Sequence, residues 1–228
     1  MICNDICIVH IPKTAGSSLK EIISKKFKKS HDILFDYGME SDATSKVLLE
    51  YLYTKKTIDT LSFDKLVRNK KPVVIFGHYH AKKYVNLLTT FHIHTFVRDP
   101  FERFLSEFIH HREIYNKDLN FKKSLIEEEY CNVIKRYFDG LRLEDFTSIG
   151  NSNNFINDMR RLLEAEGKNL SYLELIWYKY IKKNTSHVKD KIKYILDLDP
   201  ELMSKENIKK LYEQSNADDL DIYKQIKS

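Results

Sequence analysis

An α/β fold built on a parallel sheet, with helices on both faces and a helical second half, is the architecture this sequence predicts. Three observations carry it. Residues 5–11, 72–77 and 91–97 are short apolar runs of strand length, bounded by turn residues. Stretches with apolar residues at helical spacing lie between and after them, and consecutive parallel strands require such crossovers. The 228 residues are 42% hydrophobic and 31% charged, the balance of a globular chain able to bury a substantial core.

The first run, Asp5-Ile-Cys-Ile-Val-His-Ile11, predicts a buried strand. It leads into His10-Ile-Pro-Lys-Thr-Ala-Gly-Ser-Ser18, after which Leu19, Ile22, Ile23 and Phe27 recur at helical spacing. The string therefore occupies a strand-to-helix turn, where orphan backbone N–H groups and the positive end of the helix dipole meet. Such a turn suits a phosphate. Gly16 lets the backbone approach a ligand, Thr14, Ser17 and Ser18 offer hydroxyls, and Lys13 supplies a mobile positive charge. The common nucleoside-triphosphate loop places its lysine after its second glycine; here the lysine precedes the only glycine. A hydroxyl-rich turn that merely caps a helix is the competing reading.

Val47, Leu48, Tyr51 and Leu52 predict a helix over 44–56. Residues 72–77 are an apolar burst ending in Gly77, a buried strand that stops at a loop beginning with His78. Residues 91–97 form another strand, and Asp99-Pro100 then supplies an N-cap and a first-turn proline. Phe101, Phe104, Leu105, Phe108 and Ile109 make the apolar face of the following helix. In the second half, Phe155, Ile156, Met159, Leu162 and Leu163 predict one helix, residues 204–213 and 217–226 two more, and residues 151–154 and 184–187 loops. Neither repeats nor a linker divide the chain, so one domain over 1–228 is expected. Ligands of parallel sheets bind at the carboxyl ends of the strands, marked here by Lys13, His78 and Arg98.

A net charge of +5 suits an anionic ligand without requiring one. The lysines are scattered, and neither zinc-finger spacing nor an RNA-recognition signature is present, so no nucleic-acid partner is expected. Cys3, Cys7 and Cys131 read as reduced thiols, and no cluster has metal-ligand spacing. No apolar stretch reaches the roughly 18 residues of a membrane span. The first strand follows Met1 almost at once, so the expectation is a cytoplasmic protein or a Golgi-type catalytic domain without its anchor.

Arg98 leaves the strand at 91–97, and Ser106 lies two turns into the next helix. A guanidinium fork matches phosphate oxygens, and a serine hydroxyl adds a further bond; pairing of Arg98 with Asp99 or Glu102 is the competing reading. Together, the string at 10–18 and Phe96-Val-Arg-Asp-Pro-Phe-Glu-Arg-Phe-Leu-Ser106 resemble the sulfotransferases that use 3′-phosphoadenosine 5′-phosphosulfate (PAPS). Within them the likeness is greatest to the carbohydrate branch containing heparan sulfate 2-O-sulfotransferase, and it is strong over residues 6–27 and 73–112. It implies a three-layer, P-loop nucleotide-kinase-like fold.

The resemblance also implies roles. Lys13, Thr14, Ala15, Gly16, Ser17 and Ser18 would bind the 5′-phosphosulfate, and Arg98 and Ser106 the 3′-phosphate. Gly77-His78 matches the branch's Gly-His, making His78 the catalytic base, with His80 its rival. Histidine suits this task because it titrates near neutral pH, and nearby Lys13 and Arg98 would help to keep it neutral. Residues 185–189 take the place of the family's loop over the nucleotide, adding Ser186 and Lys189 as contacts. The family's Gly-x-Thr-Glu segment is not evident; residues 173–180 stand there instead. The implied reaction moves a sulfuryl group to an acceptor hydroxyl, by resemblance a carbohydrate's, and leaves adenosine 3′,5′-bisphosphate. Lys13 would stabilise the leaving oxygen without a metal, and His110, His111 and Arg112 are candidates to line the acceptor site. A phosphotransferase of related fold and a non-catalytic nucleotide-binding module are the alternatives.

Overall fold

The computed structural model describes residues 4–53, 63, 71–85, 87–88, 90–115, 118–171, 174, 188–202 and 204–227, though not the side chains of 188, 189 and 200. Five strands form one sheet: β1 (Asp5–His10), β2 (Asp32–Asp36), β3 (Val73–Gly77), β4 (Phe91–Val97) and β5 (Ser148–Asn151). Their order is β2-β3-β1-β4-β5, and every pairing is parallel.

The three strands expected from the sequence are the central ones, β3, β1 and β4. Buried on both faces, they are largely apolar, with Asp5, His10, His94 and Thr95 as the buried polar exceptions. The edge strands β2 and β5 were not expected. Asp32-Ile-Leu-Phe-Asp36 confines its apolar residues to three between two carboxylates, and Ser148-Ile-Gly-Asn151 has a single large apolar residue, so β5 above all takes its strand form from its neighbour's ladder. Asn151 thus ends a strand, and only Ser152–Asn154 forms a turn within the loop expected at 151–154.

Alternation along the strands sorts the core into layers. Ile6, Ile8, Val74, Phe76 and Phe96 face α1 (Gly16–Phe27) and the helix Phe155–Ala165. From α1 come Leu19, Ile22, Ile23 and Phe27, the four residues of the predicted stripe, all fully buried. Each such side chain stabilises the fold by roughly 1.5–3 kcal/mol. Cys7, Val9, Val73, Ile75 and Val97 face the other way, against Val133, Ile134, Phe138 and Tyr223. The result is a three-layer, P-loop-like α/β fold with a helical second half. A further apolar cluster joins the helix Pro100–Ile114 to the helices Val188–Leu198 and Lys205–Ser215 through Phe104, Phe108, Ile195 and Tyr212.

Local signals fared unevenly. Asp99 caps its helix as expected, its Oδ1 accepting from the Glu102 amide at 3.0 Å, with Pro100 at the first position. The helix expected over 44–56 is instead a short turn, Lys46–Leu48, widening into a π-turn, Leu49–Tyr53. That widening accompanies a hydrogen bond from the Tyr53 hydroxyl to buried Asp36 at 2.9 Å; residues 54–56 lie outside the described residues. Cys7 and Cys131 are free thiols, the first buried and pushed up in pKa by that burial; Cys3 lies outside the described residues. No helix among the described residues is long and apolar enough to cross a membrane.

Candidate active site

Strand register brings two histidines together. β1 and β3 pair Ile8 with Phe76 and Val9 with Gly77, so the next residues along, His10 and His78, come to lie opposite one another. Nε2 of His78 is 2.8 Å from Nδ1 of His10. The His10 ring stacks on Phe76 at 5.3 Å, and Tyr37 stands edge-on to His78 at 5.0 Å. Two glycines make room for this arrangement. A Cβ on Gly16 would fall 1.9 Å from the His10 imidazole, and one on Gly77 would fall 1.8 Å from the Asp36 carbonyl oxygen. The His78 amide donates to that same oxygen at 2.8 Å.

The turn after β1 is held in an uncommon shape. Lys13 and Ala15 both take left-handed backbone conformations, with φ of 68° and 69°, which cost about 1–3 kcal/mol each. Thr14 is fully buried, and its hydroxyl donates to the Ile11 carbonyl at 2.7 Å. This corrects one expectation: that hydroxyl braces the turn instead of facing a ligand, which leaves Thr14 its backbone amide. Ala15 occupies the N-cap of α1 without a side-chain cap, and the first turn carries no acid. The amino end of α1 is therefore electropositive. Exposed Ser17 and half-buried Ser18 stand in its first turn.

Arg98 lies beyond the end of β4, where its Nε and Nη2 reach Oε2 of Glu102 at 3.3 and 3.1 Å. Glu102, Ser106 and His110 follow at successive four-residue steps on one helix face. The competing pairing with Glu102 is therefore the one present, and it holds Arg98 on the face that carries Ser106. Burial lowers the Lys13 pKa, with Glu107 opposing and Arg98 reinforcing the shift. Lys191, buried in the helix Val188–Leu198, is brought down to about 8 by burial first and then by Arg98 and Lys13, against Glu102. Lys13, Arg98 and Lys191, from three distant parts of the chain, thus lie within electrostatic reach of one another.

Lys191 was not among the expected site residues. Its one sequence signal is its place two residues beyond Lys189, on a helix whose Ile192 and Ile195 dock beside the Pro100–Ile114 helix. Ser186 and the Lys189 side chain lie outside the described residues, as does most of 173–180.

His78 has an exposed edge but sits among surrounding protein atoms, and their desolvation lowers its pKa to about 4. Burial, rather than the Lys13 and Arg98 charges, therefore keeps this ring neutral. His10 is held well below the ordinary histidine range by burial first, then by His78, Lys13 and Lys20. His80 is exposed, its ring 5.8 Å from that of Tyr137. Both His78 and His80 line an open depression of about 410 Å³, together with Tyr79, Lys82, Lys83 and Asp139. Of the residues expected at an acceptor site, His110 is influenced by Lys13, after a larger effect of burial. His111 instead bonds the Tyr130 hydroxyl at 2.7 Å, and Arg112 donates to the Leu119 carbonyl at 2.7 Å.

Comparison with known proteins adds three findings. The model of a family described as "Sulfotransferase family" matches residues 3–215. No curated protein matches the sequence. Among solved structures, a mouse sulfotransferase complexed with PAP is similar with a TM-score of 0.52 and 16% identity, over 93% of this chain and 89% of that one. A sulfotransferase from Alicyclobacillus acidocaldarius is similar with a TM-score of 0.45 and 17% identity, over 87% of this chain and 96% of that one.

Proposed function

The chain belongs to the sulfotransferase family, and from that premise we propose that it moves the sulfuryl group of PAPS to an acceptor hydroxyl by in-line displacement. The observation that carries this reading is the mutual electrostatic influence of Lys13, Arg98 and Lys191, with Lys13 in the turn that leads into the uncapped amino end of α1. Such a site offers positive charge and backbone donors to a ligand with phosphates at two ends. PAP, which the similar mouse protein holds, is such a ligand and is what PAPS becomes after transfer.

In this reaction the amides of residues 14–18, the Ser17 and Ser18 hydroxyls and Lys13 hold the 5′-phosphosulfate. Arg98 and Ser106 hold the 3′-phosphate, with Lys191 adding positive charge to the donor site and Ser186 and Lys189 as further contacts. The acceptor enters by the depression beside His78. As its oxygen forms a bond to sulfur, its proton passes to His78. The bond from sulfur to the 5′-phosphate oxygen breaks, and adenosine 3′,5′-bisphosphate leaves with the electron pair. Lys13 offsets the charge growing on that oxygen. For His78 to accept the proton at Nδ1, its Nε2–H donates to Nδ1 of His10, which keeps its own proton on Nε2. His10 is thereby a positioning residue for the base. A carbohydrate acceptor is supported by the resemblance of the Gly77-His78 pair to the Gly-His of the heparan sulfate 2-O-sulfotransferase branch.

The direct test is transfer from labelled PAPS to a panel of glycans and of simple alcohols and phenols; transfer to none of them defeats the enzymatic reading. For the donor site, Arg98→Ala should weaken adenosine 3′,5′-bisphosphate binding by about 1.5–3 kcal/mol, the worth of a charge-assisted contact. Calorimetric titration reads this, and an unchanged affinity removes Arg98 from the site. Tighter binding of ATP–magnesium than of the bisphosphate favours the phosphotransferase alternative.

A pH dependence follows from Lys191, whose pKa of about 8 makes it a donor-binding cation only below that value. On the alkaline side kcat/KM for PAPS should therefore fall above about pH 8, because the free enzyme loses this charge. Lys191→Met should lower kcat/KM at neutral pH and move the alkaline limb upward. A limb that stays in place in that variant detaches Lys191 from the donor.

A further inference from the structure

At the end of the sheet remote from Arg98, β4 carries His92 and His94, two residues apart and hence on one face. It is the face on which Phe96 packs against Phe155. The helix Phe155–Ala165 starts at that contact and returns along the sheet, so that Glu166, its C-cap residue, arrives beside the two histidines. Nδ1 of His92 and Nε2 of His94 lie 2.6 and 2.8 Å from the same Glu166 oxygen, Oε1. No spacing along the chain revealed this group, because Glu166 lies 74 residues beyond His92.

From this geometry we infer that His92, His94 and Glu166 form a binding site for a divalent transition-metal cation, of which zinc is the fitting type. Three observations carry the assignment. First, one ligand atom from each residue falls within 4.8 Å of the others, and two imidazoles with one carboxylate are a zinc donor set that leaves a fourth position for water. The His94 and Glu166 side chains are 0% and 6% exposed, while His92 at 33% keeps one side open to solvent. Two nitrogen donors disfavour calcium and magnesium, which prefer oxygen.

Second, the outer nitrogens already have partners: His92 Nε2 is 3.0 Å from Asn4 Nδ2, and His94 Nδ1 is 2.7 Å from Ser148 Oγ. A serine hydroxyl donates or accepts, and an asparagine amide does either after a flip. Each imidazole can therefore turn a lone pair inward toward a metal and keep its outer bond, the arrangement that orients metal-bound histidines. Third, the Glu166 side chain is buried, and among the described residues it pairs with the two histidines and with no lysine or arginine. A cation there compensates the buried charge and ties β4 to the end of the helix. The competing state is a closed triad in which both imidazole N–H groups donate to Glu166.

The two are separated with the 228-residue chain after chelator treatment. Zinc, titrated against a chromophoric chelator, should bind at one equivalent and raise the thermal midpoint; cobalt should give the visible absorption of a tetrahedral site. Ser148→Ala should weaken zinc binding by about 10- to 100-fold, as loss of an outer partner does. His92→Ala and Glu166→Gln should weaken it further and abolish the cobalt bands, with adenosine 3′,5′-bisphosphate affinity retained as the sign of an intact fold. Absence of stoichiometric zinc binding, or equal affinity in His92→Ala and Glu166→Gln, overturns the assignment in favour of the closed triad. Neither outcome bears on sulfuryl transfer, which takes place at the other end of the sheet.

Discussion

His78→Ala is expected to lower transfer by about 10²–10⁴-fold, the usual worth of a positioned general base, while adenosine 3′,5′-bisphosphate binds as before. The separation follows from where the ring sits. It borders the open depression and touches His10 and Tyr37, whereas the donor is assigned to Lys13, Arg98 and Lys191. A pKa near 4 leaves the ring neutral and able to accept a proton throughout the neutral range. The same low value makes it a weaker base than one poised near the working pH, which puts the expected loss toward the lower end of its range. Truncation also strips buried His10 of its partner, so some stability is lost as well. His78→Gln, which offers His10 a replacement hydrogen bond, controls for that loss and should be equally inactive. His80→Ala should retain most of the activity. If His80→Ala is inactive and His78→Ala is not, the base is His80.

Lys13→Ala is expected to reduce kcat by about 10²–10³-fold, the cost of removing one group that stabilises charge in the transition state. Donor affinity should change by much less, because Arg98, Lys191 and the amides at the start of α1 remain. The left-handed backbone at Lys13 directs its side chain from a rigid turn, and the nearby cations favour an added negative charge. That charge is greatest as the sulfur–oxygen bond breaks. Single-turnover kinetics with labelled PAPS, set beside calorimetric binding, separates the two effects. Equal losses in rate and affinity would make Lys13 a simple binding residue.

How much of this was legible in the sequence depends on the range of the interaction concerned. The central strands announce themselves because a strand buried on both faces is rich in apolar residues on both. The α1 stripe does so because Leu19, Ile22, Ile23 and Phe27 repeat with the helical turn. The Asp99 cap and Pro100 are likewise local signals. β2 was hidden because its apolar run, Ile33-Leu34-Phe35, is only three residues long between two aspartates, and β5 because it carries one large apolar residue. Thr14 looked like a ligand donor in the string, yet its hydroxyl serves the turn, a choice made by backbone geometry that residue type does not disclose.

The amino-acid order alone determined the strand–turn–helix of residues 5–27, the class of the fold and the two segments that resemble a PAPS-binding enzyme. Tertiary structure decided which residues meet. His10 faces His78 because β1 and β3 adopt one register; Lys191 joins Lys13 and Arg98 because a late helix docks on an earlier one; Glu166 reaches His92 and His94 because a helix returns along β4. Periodicity reports the burial of a residue relative to its chain neighbours. Contacts across many tens of residues depend on register and docking, which the whole core selects at once.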